Sequence, residues 1–216
     1  MLILIPYQII QYSDTAQLLM QRCSEVYQIT EELARRVGDT ESPQGVFCIC
    51  KMLDKNAGMV HINKESRVIV LENLQDPANM GAVFRSAEAF GMDAVILAGN
   101  CCDVYAPKAV RAGMGAVFRL NLLRTASGAE AAQVLRKAGV ATYAAVAHGD
   151  AKKPHEVRLN RGCAVMIGNE GNGLTAEAIA ACDYPLTIPM GGRAESLNAA
   201  AAAAILIWEM VRNEKA

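Results

Sequence analysis

The sequence predicts an α/β protein built on a mostly parallel sheet covered on both faces. Two observations carry that prediction. From residue 68 onward, apolar runs of strand length alternate with helix-length segments. Two late strands, Cys163 to Ile167 and Pro185 to Ile188, empty into glycine-bearing loops. Such junctions at the carboxyl ends of strands are where an open α/β sheet holds its ligand.

A chain of 216 residues, 52% of them hydrophobic, can bury the core of one large or two small domains. The opening MLILIPYQII has neither a basic region nor a small-residue cleavage site, so it reads as a buried strand and not as an export signal. No apolar run is long enough to cross a bilayer. Seven cysteines form no C-x-x-C pair and several lie in apolar strands, which places the protein in a reducing cytoplasm. His61, His148 and His155 have no metal-ligand spacing. With 21 basic and 22 acidic residues there is no overall basic footprint. A polyanion would have to be held by a patch, with Arg85, Lys108, Arg111, Lys152, Lys153, Arg158, Arg161 and Arg193 as candidates.

Taken in order, Leu2 to Ile5 reads as a strand, Thr15 to Cys23 as a helix, and Thr30 with Glu31 and Glu32 as the start of another helix in TEELARRV. After Ser42-Pro43 comes the apolar run GVFCICKM. These elements make a small α/β unit over residues 1–53. Residues 54–66 are polar, contain Gly58 and keep no period, so they read as a linker, leaving 67–216 as the second domain.

Val68 to Leu71 opens that domain as a strand. A loop from Glu72 to Asn79 precedes a helix expected from about Met80 to Phe90, with Asn79 as its N-cap and Gly91 as its stop. Arg85 lies in this otherwise apolar helix, where a nearby helix start favours an anion. Further strands are expected at Ala94 to Ala98, Val117 to Leu120 and Val140 to Ala147, and helices at Pro107 to Arg111 and Gly128 to Ala138. Gly168, Gly171 and Gly173 let backbone N–H groups approach a ligand beside Asn169, Glu170 and Asn172. A helix from Thr175 to Cys182 follows, and Ser196 is expected to open a long alanine-rich helix reaching Asn213. Its apolar surface suits either burial on the sheet or a homodimer contact.

Several other chemistries are excluded. GNEGNGLT has Leu174 where a P-loop requires its lysine, and the chain contains neither G-x-G-x-x-G nor G-x-S-x-G.

Three segments in order, NLQDPANMGAVFRSAEAFG, VMIGNEGNGL and IPMGGRAESLNAAAA, resemble those of the SpoU (TrmH-type) RNA 2′-O-ribose methyltransferases of the SPOUT superfamily. The resemblance runs from about residue 68 to 213. It implies a SPOUT fold whose carboxyl-terminal part threads a trefoil knot, an exception to the rule that chains are unknotted. It implies S-adenosylmethionine held by Gly168, Ile188, Met190 and Leu197, with Ala145 close by, and active-site positions at Asn79, Arg85, Glu170, Ser196 and Asn198. It also implies a homodimer, no metal, and an RNA substrate, with ribosomal RNA ahead of transfer RNA. EELARRVGDTESPQGV resembles the later half of the RNA-binding domain that many members carry, and the front unit is short at its amino end. A departure stands at Gly113, where relatives often carry a hydroxyl residue.

In this family Arg85 is often assigned as the base. A guanidinium is too weak an acid for that; its expected role is to grip the adjacent phosphate and stabilise the developing alkoxide, while Asn79, Glu170, Ser196 and Asn198 orient it and the ribose. Two rivals stay open: a catalytically silent RNA-binding dimeric module, and a SPOUT enzyme acting on a base.

Overall fold

The structure, a computed structural model, describes residues 2–4, 13–38, 45–52 and 61–212. The chain divides into two compact units, Met1–Asp54 and Lys55–Ala216. Much of the expected linker, residues 54–60, lies outside the described residues, as does the end of the first expected strand at Ile5.

In the first unit, β1 (Leu2–Leu4) is the middle strand of a three-stranded sheet. It pairs in parallel with β2 (Val26–Gln28) and antiparallel with β3 (Val46–Cys48). Helices α1 (Ser13–Arg22) and α2 (Glu31–Val37) contribute the buried Ala16 and Ala34. Thr30 caps α2 by accepting from Leu33 N, and acids in the first turn with arginines in the last complement the helix dipole.

The second unit is built on a six-stranded sheet in the order β6-β5-β4-β8-β7-β9, every pairing parallel. Its strands are β4 (Arg67–Glu72), β5 (Ala94–Ala98), β6 (Leu122–Thr125), β7 (Ala141–Ala145), β8 (Cys163–Ile167) and β9 (Tyr184–Leu186). Alternate residues of β4 serve opposite cores, as a two-residue side-chain period dictates. Ile69 and Leu71 join α3 (Pro77–Ala89) and α7 (Ala199–Val211) on one face. Val68 and Val70 join α5 (Gly128–Lys137) and α6 (Ala176–Ala181) on the other. A short α4 (Pro107–Ala112) packs on α3. The chain runs outward from β4 through β5 to β6, then returns to build β7, β8 and β9 on the opposite side. The order therefore reverses between β4 and β8, and a crevice is expected beyond their carboxyl ends.

Four expected elements are corrected. Helix α3 starts at Pro77, capped by Asp76, which accepts from Ala78 N at 2.9 Å, so Asn79 is not the cap but sits buried inside the first turn. Proline at the first helical position lacks only an N–H that would have had no partner there. Val117 to Leu120 is not a strand. Met114 and Gly115 take positive φ, turn the chain into a 3-10 turn at Ala116–Phe118, and delay the strand to β6. The strand expected at Pro185 to Ile188 is shorter and earlier, at Tyr184–Leu186. Ser196 does not open the last helix; Asn198 caps it, accepting from Ala200 N and Ala201 N.

Among the described residues no helix is long and apolar enough to cross a membrane, and no group of three or more potential metal ligands occurs.

Candidate active site

The reversal point between β4 and β8 is bridged by one acid. Glu170, in the loop after β8, accepts from Gln75 N at 3.1 Å and Asp76 N at 2.9 Å, both in the loop after β4, and from Asn79 Nδ2 at 3.1 Å. Asn79 in turn accepts at Oδ1 from Asn198 Nδ2, 3.0 Å away. Three segments remote in sequence thus meet through Glu170, Asn79 and Asn198. Partial burial pushes the Glu170 carboxyl up, but the Asp76 N–H, the Asn79 amide and the Gln75 N–H outweigh it, holding the group below the usual carboxylate range.

The Glu170 loop folds tightly on itself. Asn169 and Gly173 exchange backbone hydrogen bonds at 2.9 Å in each direction, and Asn169 Oδ1 accepts from Gly171 N and Asn172 N. Gly168 is required here: a Cβ on it would lie 2.1 Å from the Gly173 carbonyl carbon. From the opposite side, Glu72 at the end of β4 is buried and accepts from Thr175 N, Thr175 Oγ1 and Gly128 N. This anchors the loop's far end and the start of α5 to the central strand.

Beside this frame lies a cavity of about 430 Å³, within the range of small-molecule sites. Ala145, Gly168, Ile188, Met190 and Leu197, the five positions expected to hold the cofactor, all line it, together with Val146, His148, Glu170 and Ser196. A second, more open hollow adjoins it, lined by Gln75, Asp76, Asn79, Glu170, Ser196, Leu197 and Asn198. Ser196 faces both. Its hydroxyl has no hydrogen-bond partner among the described residues, whereas the Asn198 amide is committed to Asn79 and to capping α7.

Four of the five expected active-site residues are therefore brought together, and Arg85 is not among them. It lies six residues beyond Asn79, roughly 9 Å along the helix axis and roughly 120° around it. Its side chain is exposed, lines neither hollow and has no ion pair among the described residues. Glu88, three residues on along the same helix, is no partner for it and binds Arg119 at 2.8 Å. Other basic candidates are engaged: Lys108 with Asp76 at 3.1 Å, and Lys152 over the Tyr184 ring at 4.1 Å.

Reading the sequence missed Gln75, Asp76 and His148. The first two act through backbone N–H groups, which leave no side-chain signature; the place of His148 just after β7 was the one available signal for it. Thiol chemistry is not favoured. Burial, with Cys101 adding to it, pushes Cys102 up to about 11, and burial pushes Cys163 up to about 12.

The lining fits an adenosine-bearing methyl donor. Aliphatic side chains from three loops can enclose a flat ring while nearby backbone groups read its edge. The 23S rRNA (guanosine(2553)-2′-O)-methyltransferase RlmP of Bacillus subtilis is 31% identical over 186 residues, covering 86% of this chain and 72% of the relative. The 23S rRNA (uridine(2479)-2′-O)-methyltransferase of Streptomyces viridochromogenes is 31% identical over 202 residues, covering 91% and 70%. Among solved structures, the AdoMet-bound rRNA methyltransferase from Sinorhizobium meliloti superposes with a TM-score of 0.83 at 26% identity, covering 99% of this chain and 80% of the other. A family model described as the SpoU rRNA Methylase family matches residues 66–208. With its three motifs meeting at the reversal point of a parallel six-stranded sheet, this chain belongs to the SpoU rRNA methylase family.

Proposed function

We propose that this protein transfers a methyl group from S-adenosylmethionine to a ribose 2′-hydroxyl of ribosomal RNA. The observation that carries the reading is the Glu170–Asn79–Asn198 relay standing beside the cofactor-sized cavity. Gly168, Ile188, Met190, Leu197 and Ala145 would hold the cofactor, which when bound supplies a methyl on a sulfonium whose leaving group departs neutral.

The chain's own residues divide into frame and reactive surface. Glu170 has both carboxylate oxygens occupied by donors from the β4 loop and α3, so it and Asn79 fix the distance between two loops and act as positioning residues. Asn198 fixes the start of α7 and, with it, Ser196. Ser196 lines both hollows, and its hydroxyl, without a hydrogen-bond partner among the described residues, is available to orient the ribose hydroxyl towards the donor. Arg85 grips the neighbouring phosphate and stabilises the alkoxide as it forms.

The same reading includes a homodimer. On α7 the exposed residues Ala201, Ile205 and Trp208 form a stripe, and Trp208 packs against Phe90 beyond α3 with ring centroids 5.6 Å apart. Arg85 shares the exposed side of α3 with Ala89. A second copy docked there would cover this apolar surface and bring Arg85 of one copy to the hollow of the other. Residues 1–53 serve as the RNA-capturing unit, 54–66 as a linker and 67–216 as the methyltransferase domain, with its carboxyl-terminal segment threaded as a trefoil knot. The free cysteines fit a reducing cytoplasm.

The test is to incubate the protein with methyl-labelled S-adenosylmethionine and ribosomal RNA, then digest the product to nucleosides. Label in 2′-O-methylnucleosides is expected. Label in a methylated base, or no cofactor binding by calorimetry, would overturn the reading.

A further inference from the structure

We propose that a recess lined by side-chain amides, next to the proposed ribose hollow, binds the base of a nucleotide flanking the methylated position; its placement beside that ribose rests on the function proposed above. The recess holds about 340 Å³ at the carboxyl ends of β4, β5 and β8. Asn73, Gln75, Asn100, Asn169 and Asn172 line it, and none of its described lining residues is ionisable. Among the described residues no cationic side chain stands in that lining to neutralise a phosphate. A wholly apolar ligand would leave the unbonded amide groups of this lining dry and unpaired. The lining instead matches a flat, uncharged group with alternating donors and acceptors on its edge, which describes a nucleobase. Leu174 supplies an apolar wall for the ring.

The amides are held in place in advance. Asn169 is spent on the framework, accepting from Gly171 N and Asn172 N and donating to Asn73 O at 2.9 Å. Asn73 Oδ1 accepts from Asn100 N at 2.8 Å, and Gly99 presses so close that a Cβ there would sit 2.5 Å from that oxygen. Gln75 Nε2 donates to Asn73 O and Asn100 O. Left without partners among the described residues are Asn73 Nδ2, Gln75 Oε1 and the whole amides of Asn100 and Asn172. Single-stranded RNA is read in this way, by hydrogen bonds to the edges of splayed bases. Gln75 also lines the hollow that contains Asn79, Glu170 and Ser196, so the two sites share a wall.

The test follows the side-chain amide signals of the whole protein by NMR while the four nucleoside 5′-monophosphates, and ribose 5-phosphate as a probe without a base, are titrated in. The signals of Asn73 and Asn100, which line this recess and neither of the other two hollows, are expected to move with at least one nucleotide and not with ribose 5-phosphate. The double variant Asn100→Leu, Asn172→Leu, whose native side chains are exposed and unbonded among the described residues, is expected to weaken that nucleotide about tenfold. Equal shifts with ribose 5-phosphate, no shifts at all, or undiminished binding by the double variant would each overturn the proposal. Base-dependent shifts in a protein that methylates no ribose would uphold the base site and remove the methylation reading. Ribose methylation without base-dependent shifts would remove the base site alone.

Discussion

Asn198 Nδ2 donates to Asn79 Oδ1 at 3.0 Å, joining two residues 119 positions apart. Each amide also faces away from that bond, Asn79 to Glu170 and Asn198 to the first N–H groups of α7. The start of α7 and the loop after β8 are therefore referenced to the same turn of α3. A substitution at any point of this relay should displace Ser196 before it disturbs the sheet. Asn79→Leu removes both partners' contacts in a buried position, with an expected loss of about 1–3 kcal/mol in chemical denaturation. Methyl transfer should fall further than that loss of stability accounts for. An unchanged turnover rate in folded protein would disconnect the relay from the site.

Glu170 makes acid stability a second test. Its folded pKa lies below the ordinary value of 4.5, so its contribution is fully present above the unfolded pKa and is lost as pH falls through the folded one. Wild type and Glu170→Gln should therefore differ most in urea midpoint near neutral pH and converge on acidification. A gap that widens towards acid would mean that the carboxylate is not what the Asp76 and Gln75 N–H groups hold.

Gly168→Ala tests the loop itself. The added carbon would lie far inside van der Waals contact with backbone, 2.1 Å from Gly173 C and 2.2 Å from Leu174 N, and neither can swing aside as a side chain would. Overpacking costs about 1–3 kcal/mol where side chains can yield and more where backbone must move, and here it displaces the wall of the cofactor cavity. Calorimetry should register weakened S-adenosylmethionine binding even at temperatures where the variant stays folded.

Much of this arrangement was readable from residue types, and the unreadable part has a physical cause. Apolar runs marked the strands because both sheet faces are covered, and glycine density marked the loop that Gly168 closes. The helix start was misplaced because Asp76 and Asn79 are both good capping residues, and only Pro77 between them decides which one the chain uses. Val117 to Leu120 had the composition of a strand, but a turn at positive φ just before it takes the chain into a 3-10 segment. The grip on Glu170 was hidden because its strongest donors are backbone N–H groups. The exposure of Arg85 was hidden as well: on a helix flanked by α4 and α7, a polar residue among alanines marks the open side only once both neighbours are known.

That open side leads to the sharpest test. Arg85→Ala should fold normally and bind cofactor as wild type does, because its side chain touches neither cavity, yet lose methyl transfer. Ser196→Ala, at an exposed hydroxyl without a bonded partner among the described residues, should stay within about 0.5 kcal/mol of wild-type stability and also lose transfer. If Arg85 serves the hollow of the second copy, mixing the two inactive variants after dissociation restores one competent site per mixed pair. The copy carrying Arg85→Ala keeps its own serine and receives the partner's guanidinium. Random pairing of symmetric copies then returns about a quarter of wild-type activity. If each arginine serves its own chain, no pairing assembles a complete site and the mixture stays silent.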